Sequence, residues 1–359
     1  MIGTVLLAAG CASTATGPNE TTPEEVISSP PVMSNAGSSL NWTAPNAVLP
    51  FPASRNFQQP TRPQPAAPVT IYTSLDRWAA ANQVGAPRQV SRAPVAAYAV
   101  KTANGTMVLD IGSREANWNG VEVQLGFAPE YIDDQVFVHG LDLQKNLEPL
   151  LLGPPLSFGN RVIVIDPGHG GVNVGAHSAA DGRYEKEFTL DWALRLAPLL
   201  QANGWQVFLT RMSDEDVALS NRVAFAEAHQ ADVFLSLHFN SSAADSRQTG
   251  IETYCSTPAG MPSNLTRNYA DIWTQSFPNN AYDGENLQLA VRLHTALLRA
   301  TGAEDRGVRR ARFIGVLHGQ RHPAVLIEGG YLSNPREARL IATPEYRQKL
   351  AQAVADALK

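Results

Sequence analysis

The chain has 359 residues, 44% of them hydrophobic and 17% charged, with a formal net charge of −5. That balance offers no broad basic surface for nucleic acid, and no uninterrupted run of about 18 apolar residues is present to make an ordinary membrane-spanning helix. Two cysteines, Cys11 and Cys255, are too few for a disulfide scaffold.

In chain order, Val5-Leu6-Leu7-Ala8-Ala9-Gly10-Cys11 is an apolar segment that closes on small residues and a cysteine, and it resembles the end of a bacterial lipoprotein signal peptide. The resemblance implies a signal over residues 1–11, lipidation at Cys11, and a membrane-anchored lipoprotein of the cell envelope on its periplasmic side. Residues 1–4 carry no Lys or Arg, where an export signal normally has a positive start, so soluble export and a cytoplasmic protein stay open as alternatives. Residues 12–68 are crowded with Pro, Ser, Thr, Asn and Ala and cannot bury enough surface to offset their ordering entropy, which predicts a disordered tether. Residues 69–155 predict a small α+β accessory domain: a strand at 69–73, a helix at 75–82, strands at 107–111 and 121–125 around the turn-prone Asn119-Gly120, and a third strand within 131–138. This segment resembles the N-terminal domain found in copper amine oxidases and in envelope hydrolases. It carries no catalytic motif, and reads either as a spacer or as a module that binds a polymer or a partner.

Residues 156–359 alternate. Strands are expected at 161–166, 205–210, 232–237, 250–255, 312–317 and 323–328, with helices at 186–202, 217–229, 285–301 and 344–358. The pattern predicts an α/β fold, a mostly parallel or mixed sheet flanked by helices. Three apolar strands end in residues that can ligate a metal or move a proton: Val162 to Ile165 leads into Asp166-Pro167-Gly168-His169, residues 231–240 end at His238 and Asn240, and Val325-Leu326-Ile327 runs into Glu328. An ionised Glu328 behind such a strand is costly to bury unless paired, metal-bound or catalytic. Glu185 falls in or just before the first turn of the amphipathic helix that follows, where an acid also complements the helix dipole. Together, two histidines and a glutamate have the composition of a catalytic zinc site with one open position. Residues 256–284 interrupt the alternation. This insertion, with Tyr269, Trp273, Phe277 and Tyr282, reads as a wall of the substrate groove, with an inhibitory lid bringing Asp271 or Asp283 to the metal, or a plain surface loop, as alternatives.

From about residue 160 to the end, the chain resembles the zinc-dependent N-acetylmuramoyl-L-alanine amidases of the amidase type 3 family. The matching segments are VIVIDPGHGG with Gly175-Ala176, Glu185-Lys186, Leu209-Thr210-Arg211 with Asp214, Leu219 to Arg222, SLHFN at 236–240, GIETY at 250–254, RGV at 306–308 and LIEGGYLSN at 326–334. The resemblance implies that His169, Glu185 and His238 bind zinc and that Glu328 is the catalytic acid/base, with Glu252, Asn240 and Arg211 as candidate substrate-contacting or ligand-orienting residues. It further implies hydrolysis of the amide between N-acetylmuramic acid and the L-alanine of the stem peptide in peptidoglycan, in wall remodelling or cell separation; it names no protein activator. The sequence departs from the family at Asn173-Val174, usually Asp-Pro, and at Ala228-His229, often Ala-Asn; neither removes a ligand, and the first bears on the hydrogen bonds that orient His169. The ligands alone leave open another zinc peptidase or deacetylase, and a non-catalytic wall-binding regulator.

Overall fold

A computed structural model describes residues 71–266 and 271–359. Cys11, the segment at 12–68 and Tyr269 lie outside the described residues.

The N-terminal strands are β1 (Tyr72–Ser74), β2 (Arg88–Ser91), β3 (Ala97–Lys101), β4 (Thr106–Asp110), β5 (Glu115–Trp118), β6 (Val121–Gln124), β7 (Glu130–Ile132) and β8 (Gln135–His139), with α1 (Leu75–Ala81) after β1. Asn119-Gly120 does turn a hairpin, both residues at positive φ, but it joins β6 to β5, whose Glu115-Ala116-Asn117-Trp118 gives no apolar run to read. The third expected strand is itself a hairpin, β7 with β8, turned by Asp133 and Asp134 at positive φ.

The C-terminal segment supplies β9 (Val162–Pro167), β10 (Gln206–Leu209), β11 (Val233–Asn240), β12 (Ile251–Cys255), β13 (Asp305–Arg310) and β14 (Ala324–Tyr331). Its helices are α2 (Glu185–Ala202), α3 (Leu219–Ala228), α4 (Asp283–Thr301), α5 (Pro335–Ala342) and α6 (Pro344–Ala357). These strands join the N-terminal ones in a single sheet of order β10-β9-β11-β14-β12-β13-β6-β5-β4-β3-β2, and β1, β8 and β7 form a separate small sheet. The expected division at residue 155 therefore separates no two sheets: Val123 of β6 pairs in parallel with Val308 of β13, and the antiparallel meander β2 to β6 extends the larger sheet.

The centre of the sheet is buried on both faces, as its continuous apolar strands require. Ile163, Ile165, Leu235, Leu237, Val325 and Ile327 pack with Phe188, Trp192, Leu196 and Leu200 of α2 and Leu350 and Val354 of α6. Their strand neighbours Val164, Phe234 and Leu326 alternate to the other face, against Ala226 of α3 and Leu317.

One expectation fails on strand identity. No strand forms at 312–317, where Gly315–His318 is a short helical turn; the strand is Asp305–Arg310 instead. Its DRGVRR reads as a polar loop, yet its arginines find buried partners, Arg310 donating to Asn146 and Ser256 and Arg306 to Glu252. The strand expected at 250–255 is β12, which runs antiparallel to β14 with Glu252 opposite Glu328 and makes the sheet mixed. Glu252 thus lies at the start of β12, at the same end of the sheet as Glu328. The insertion at 256–284 consequently leaves from the end of the sheet away from His169, His238 and Glu328. It packs instead on the N-terminal segment, where Trp273 meets the Phe127 ring edge-on, Asn264 and Arg114 bond across to Leu125 and Ser263, and Asp283 pairs with Lys145; Asp271 pairs with Arg312 just after β13.

Candidate active site

The loop after β9 is bent by sequence and held by arginines. His169 adopts φ 64°, a left-handed conformation that costs a non-glycine residue roughly 1–2 kcal/mol, with Gly170 and Gly171 also at positive φ. Two buried guanidinium groups fix it. Arg222 on α3 donates to the carbonyls of Pro167 (2.9 Å) and His169 (2.7 Å), and Arg211, just after β10, donates to those of Pro167 (3.0 Å) and Gly168 (2.9 Å). Asp166 beneath them accepts from Arg222, Thr210 and Ser236. Burial works against its charge, but Arg222 and these hydrogen bonds outweigh burial and hold the carboxyl below its usual range. Arg211 is therefore a buried scaffold of the loop, with its pKa drawn down by burial and Arg222 to about 10, and it offers no surface to a substrate.

The loop, the start of α2 and the end of β11 bring His169, Glu185 and His238 together, one donor atom from each lying within 4.8 Å of the others. Glu185 is buried at the first residue of α2, and its two oxygens accept the backbone N–H groups of Ala176 (2.9 Å) and Phe239 (3.0 Å). Burial alone would raise its pKa; the adjacent histidines more than reverse this and keep it ionised. His238 presents Nδ1 to Glu185 at 2.9 Å, and His169 presents Nε2 to it at 3.0 Å. That second approach is close without hydrogen-bond alignment, so the buried His169 Nε2 has no hydrogen-bond partner, as expected of donors aimed at a common point. The other ring nitrogen, Nδ1, lies 2.8 Å from Asn173 Oδ1, which fixes the tautomer with Nε2 free to ligate. Glycines make the room: a Cβ on Gly168 would fall 2.3 Å from the His238 ring, and one on Gly175 2.6 Å from Glu185 Oε2. The donor set of two imidazoles and one carboxylate, with an unsatisfied nitrogen among them, fits a four-coordinate metal with one open position.

Glu328 sits beside this cluster, paired in register with His238 across β14 and β11. Its Oε2 is buried without a hydrogen-bond partner. Burial first, then the charges of Glu185 and Glu252, push its carboxyl well above the usual range. Glu252 has the opposite surroundings, accepting from Arg306 (2.9 Å), Asn240 (2.8 Å), Tyr254 (2.7 Å) and Tyr331 (3.2 Å). Its lone pairs are committed, so it is a hub that fixes its neighbours, and Asn240 is one of the spokes.

A model of the N-acetylmuramoyl-L-alanine amidase family matches residues 163–359. The chain belongs to that family. It is similar to the N-acetylmuramoyl-L-alanine amidase CwlM of Bacillus licheniformis, 34% identical over 199 residues that make up 55% of this chain and 66% of the relative. It is also similar to the amidase AmiA of Escherichia coli, 29% identical over 56% of this chain and 75% of the relative. Among solved structures, the catalytic domain of CwlV from Bacillus (Paenibacillus) polymyxa aligns with a TM-score of 0.45 and 34% identity, covering 55% of this chain and 96% of that one. In this amidase the departure at Asn173 leaves the hydrogen bond to His169 intact, because an asparagine carbonyl accepts from Nδ1–H as a carboxylate would. The sequence reading gave no role to Asp166, Arg222, Tyr254, Tyr331 or Arg306. A charged residue next to an apolar strand, as Asp166 is, was the available signal that a buried cation had to be found for it.

Proposed function

We propose that this amidase hydrolyses the amide bond joining N-acetylmuramic acid to the L-alanine of the stem peptide, with zinc held by His169 Nε2, His238 Nδ1 and a Glu185 oxygen. The observation that carries the reading is the convergence of those three donors beside the unpartnered Glu328 carboxyl. Zinc bound there would supply Lewis acidity toward the amide carbonyl and a water of lowered pKa. Glu328 takes a proton at Oε2 from the attacking water and returns it to the departing amine nitrogen. A raised pKa suits that return, since burial and the neighbouring carboxylates make this carboxyl hold a proton more readily than an ordinary glutamate. Asp166, Arg211 and Arg222 keep His169 in its left-handed conformation, and Glu252 keeps the buried Asn240, Tyr254 and Tyr331 in place.

Digestion of purified peptidoglycan by the zinc-loaded chain, read by mass spectrometry, tests this: whole stem peptides with a free L-alanine amine are expected. Loss of terminal amino acids or of acetyl groups alone would replace the reading with a zinc carboxypeptidase or a deacetylase.

Cys11 is proposed as a lipid anchor that keeps the enzyme at a membrane of the cell envelope, on the strength of the apolar run before it. Labelled fatty acid should be incorporated by the wild-type chain and not by Cys11→Ser; no incorporation by either overturns the anchor. The likeness of the N-terminal strands to the domain in copper amine oxidases remains part of the same proposal, with a spacer role favoured by their continuity with the catalytic sheet.

A further inference from the structure

Arg306 is held on two sides and open on another. Ile251 of β12 pairs with Asp305 and Thr253 with Val308, so β13 carries one extra residue at Arg306-Gly307. Gly307, at φ 87°, supplies the left-handed conformation such a bulge uses, and bulges beside active sites re-aim side chains. Here the re-aimed side chain is Arg306. Its Nε donates to Glu252 Oε1 at 2.9 Å, and its guanidinium lies over the Tyr331 ring, 5.2 Å from the centroid. Neither Nη nitrogen has a hydrogen-bond partner among the described residues and neither is sealed from solvent. Glu304 adds negative charge nearby, but its Oε2 is taken by the Thr249 hydroxyl. Arg309 approaches the same Glu252 oxygen at 3.8 Å, so two guanidinium groups share one carboxylate. Glu252 is the cross-strand neighbour of Glu328, which places the open fork one side chain away from the proton-carrying carboxyl.

A planar fork of N–H donors fixed in place matches a carboxylate, which it can bind through two parallel hydrogen bonds. On the glycan side of the scissile bond the carboxyl of muramic acid is consumed in the amide itself. Free carboxylates occur only on the peptide side. We infer that Arg306 is a specificity-determining residue that binds a free carboxylate of the stem peptide on the amine side of the scissile bond; the inference rests on the amidase reading above.

The test compares two soluble muramoyl peptides on the zinc-loaded full chain, identical except that the peptide carboxylate nearest the scissile bond is free in one and a carboxamide in the other. The wild type should favour the free acid by about 10-fold or more in kcat/KM, the worth of one charge-assisted hydrogen bond, and Arg306→Gln should reduce that preference to within about twofold. The loss should appear as a raised KM on the acid, with the amide little affected. Arg306→Lys keeps the charge and should keep part of the preference, and thermal unfolding of both variants checks that the fold is retained. An equal fall on both peptides in Arg306→Gln would mean that Arg306 only props Glu252, and overturns the inference. So would a preference that survives in Arg306→Gln, or a wild type that does not discriminate. A wild type that cuts neither peptide overturns the amidase reading and this inference with it, an outcome distinguishable by the absence of any released stem peptide.

Discussion

Glu252 and Glu328 lie directly opposite one another in the antiparallel register of β12 and β14, and the two carboxyls are treated in opposite ways. Four donors surround Glu252, whereas Glu328 Oε2 is buried with none. The two environments assign different roles: the saturated carboxyl is committed to fixing its neighbours, and the bare one can carry a proton.

Glu328→Gln should therefore bind zinc normally and lose at least about 100-fold in kcat, the low end of a general acid/base contribution. Glu252→Gln should show the converse, a smaller loss in rate with a stability loss of about 1–3 kcal/mol from weakened charge-assisted hydrogen bonds. Zinc content, turnover and urea unfolding of the two variants decide it. Near-normal turnover in Glu328→Gln would move the proton transfer to another group.

Gly175 and Gly204 both sit in the left-handed region, at φ 72° and 83°, but only Gly175 is crowded. A Cβ there would fall 2.6 Å from Glu185 Oε2 and 2.7 Å from His169 Cδ2, whereas one on Gly204 meets nothing within 4 Å. Each alanine variant should lose roughly 1–2 kcal/mol through backbone strain. Gly175→Ala should in addition lose zinc affinity and activity, while Gly204→Ala keeps both. Equal zinc affinity in the two variants would show that Glu185 and His169 are not positioned by this contact.

What the sequence made legible was what depends on local pattern. The apolar runs of β9, β11 and β14 each occupy a strand buried on both faces, and the residues expected at their ends, His169, His238 and Glu328, meet there with Glu185. Direction and pairing were not legible, because a strand of five residues reads the same either way along its axis. The antiparallel course of β12 beside β14 sends the insertion to the far side of the sheet. Nor could β13 be read, since Arg306 and Arg310 are tolerable in a strand only because Glu252, Asn146 and the Ser256 carbonyl, distant in sequence, receive them. Continuity of the N-terminal meander with this sheet rests on one parallel pairing between residues 123 and 308, which no local signal encodes.

Arg222 and Asp166 form a buried ion pair that also holds the His169 carbonyl. Removing one partner leaves the other charge uncompensated, so Arg222→Met should cost about 3–5 kcal/mol. In an Asp166→Asn background the same change should cost distinctly less, because no buried anion is then orphaned. Denaturant unfolding of the two single variants and the double variant closes the cycle. Strict additivity would show that the pair contributes no coupling.

His322 stands in the turn before β14, with its Nε2 buried and unpartnered. Burial lowers its pKa to about 4, against a smaller opposing effect of Asp232. Because the folded pKa is depressed, the unfolded chain binds a proton between about pH 4 and 6.5 that the folded chain refuses. The contribution of His322 to stability is then fully present above pH 6.5 and is lost as pH falls toward 4. The slope across that window should approach about 1.4 kcal/mol per pH unit. His322→Met has no proton to bind, so urea midpoints of the metal-free wild type and variant should diverge with pH: the wild type should weaken relative to the variant between pH 6.5 and 4.5. Metal-free protein removes any pH-dependent metal binding, and the titrations of His169, His238 and the carboxylates, common to both proteins, cancel in the difference. A stability difference independent of pH would show that His322 is protonated in the folded state as readily as in the unfolded one.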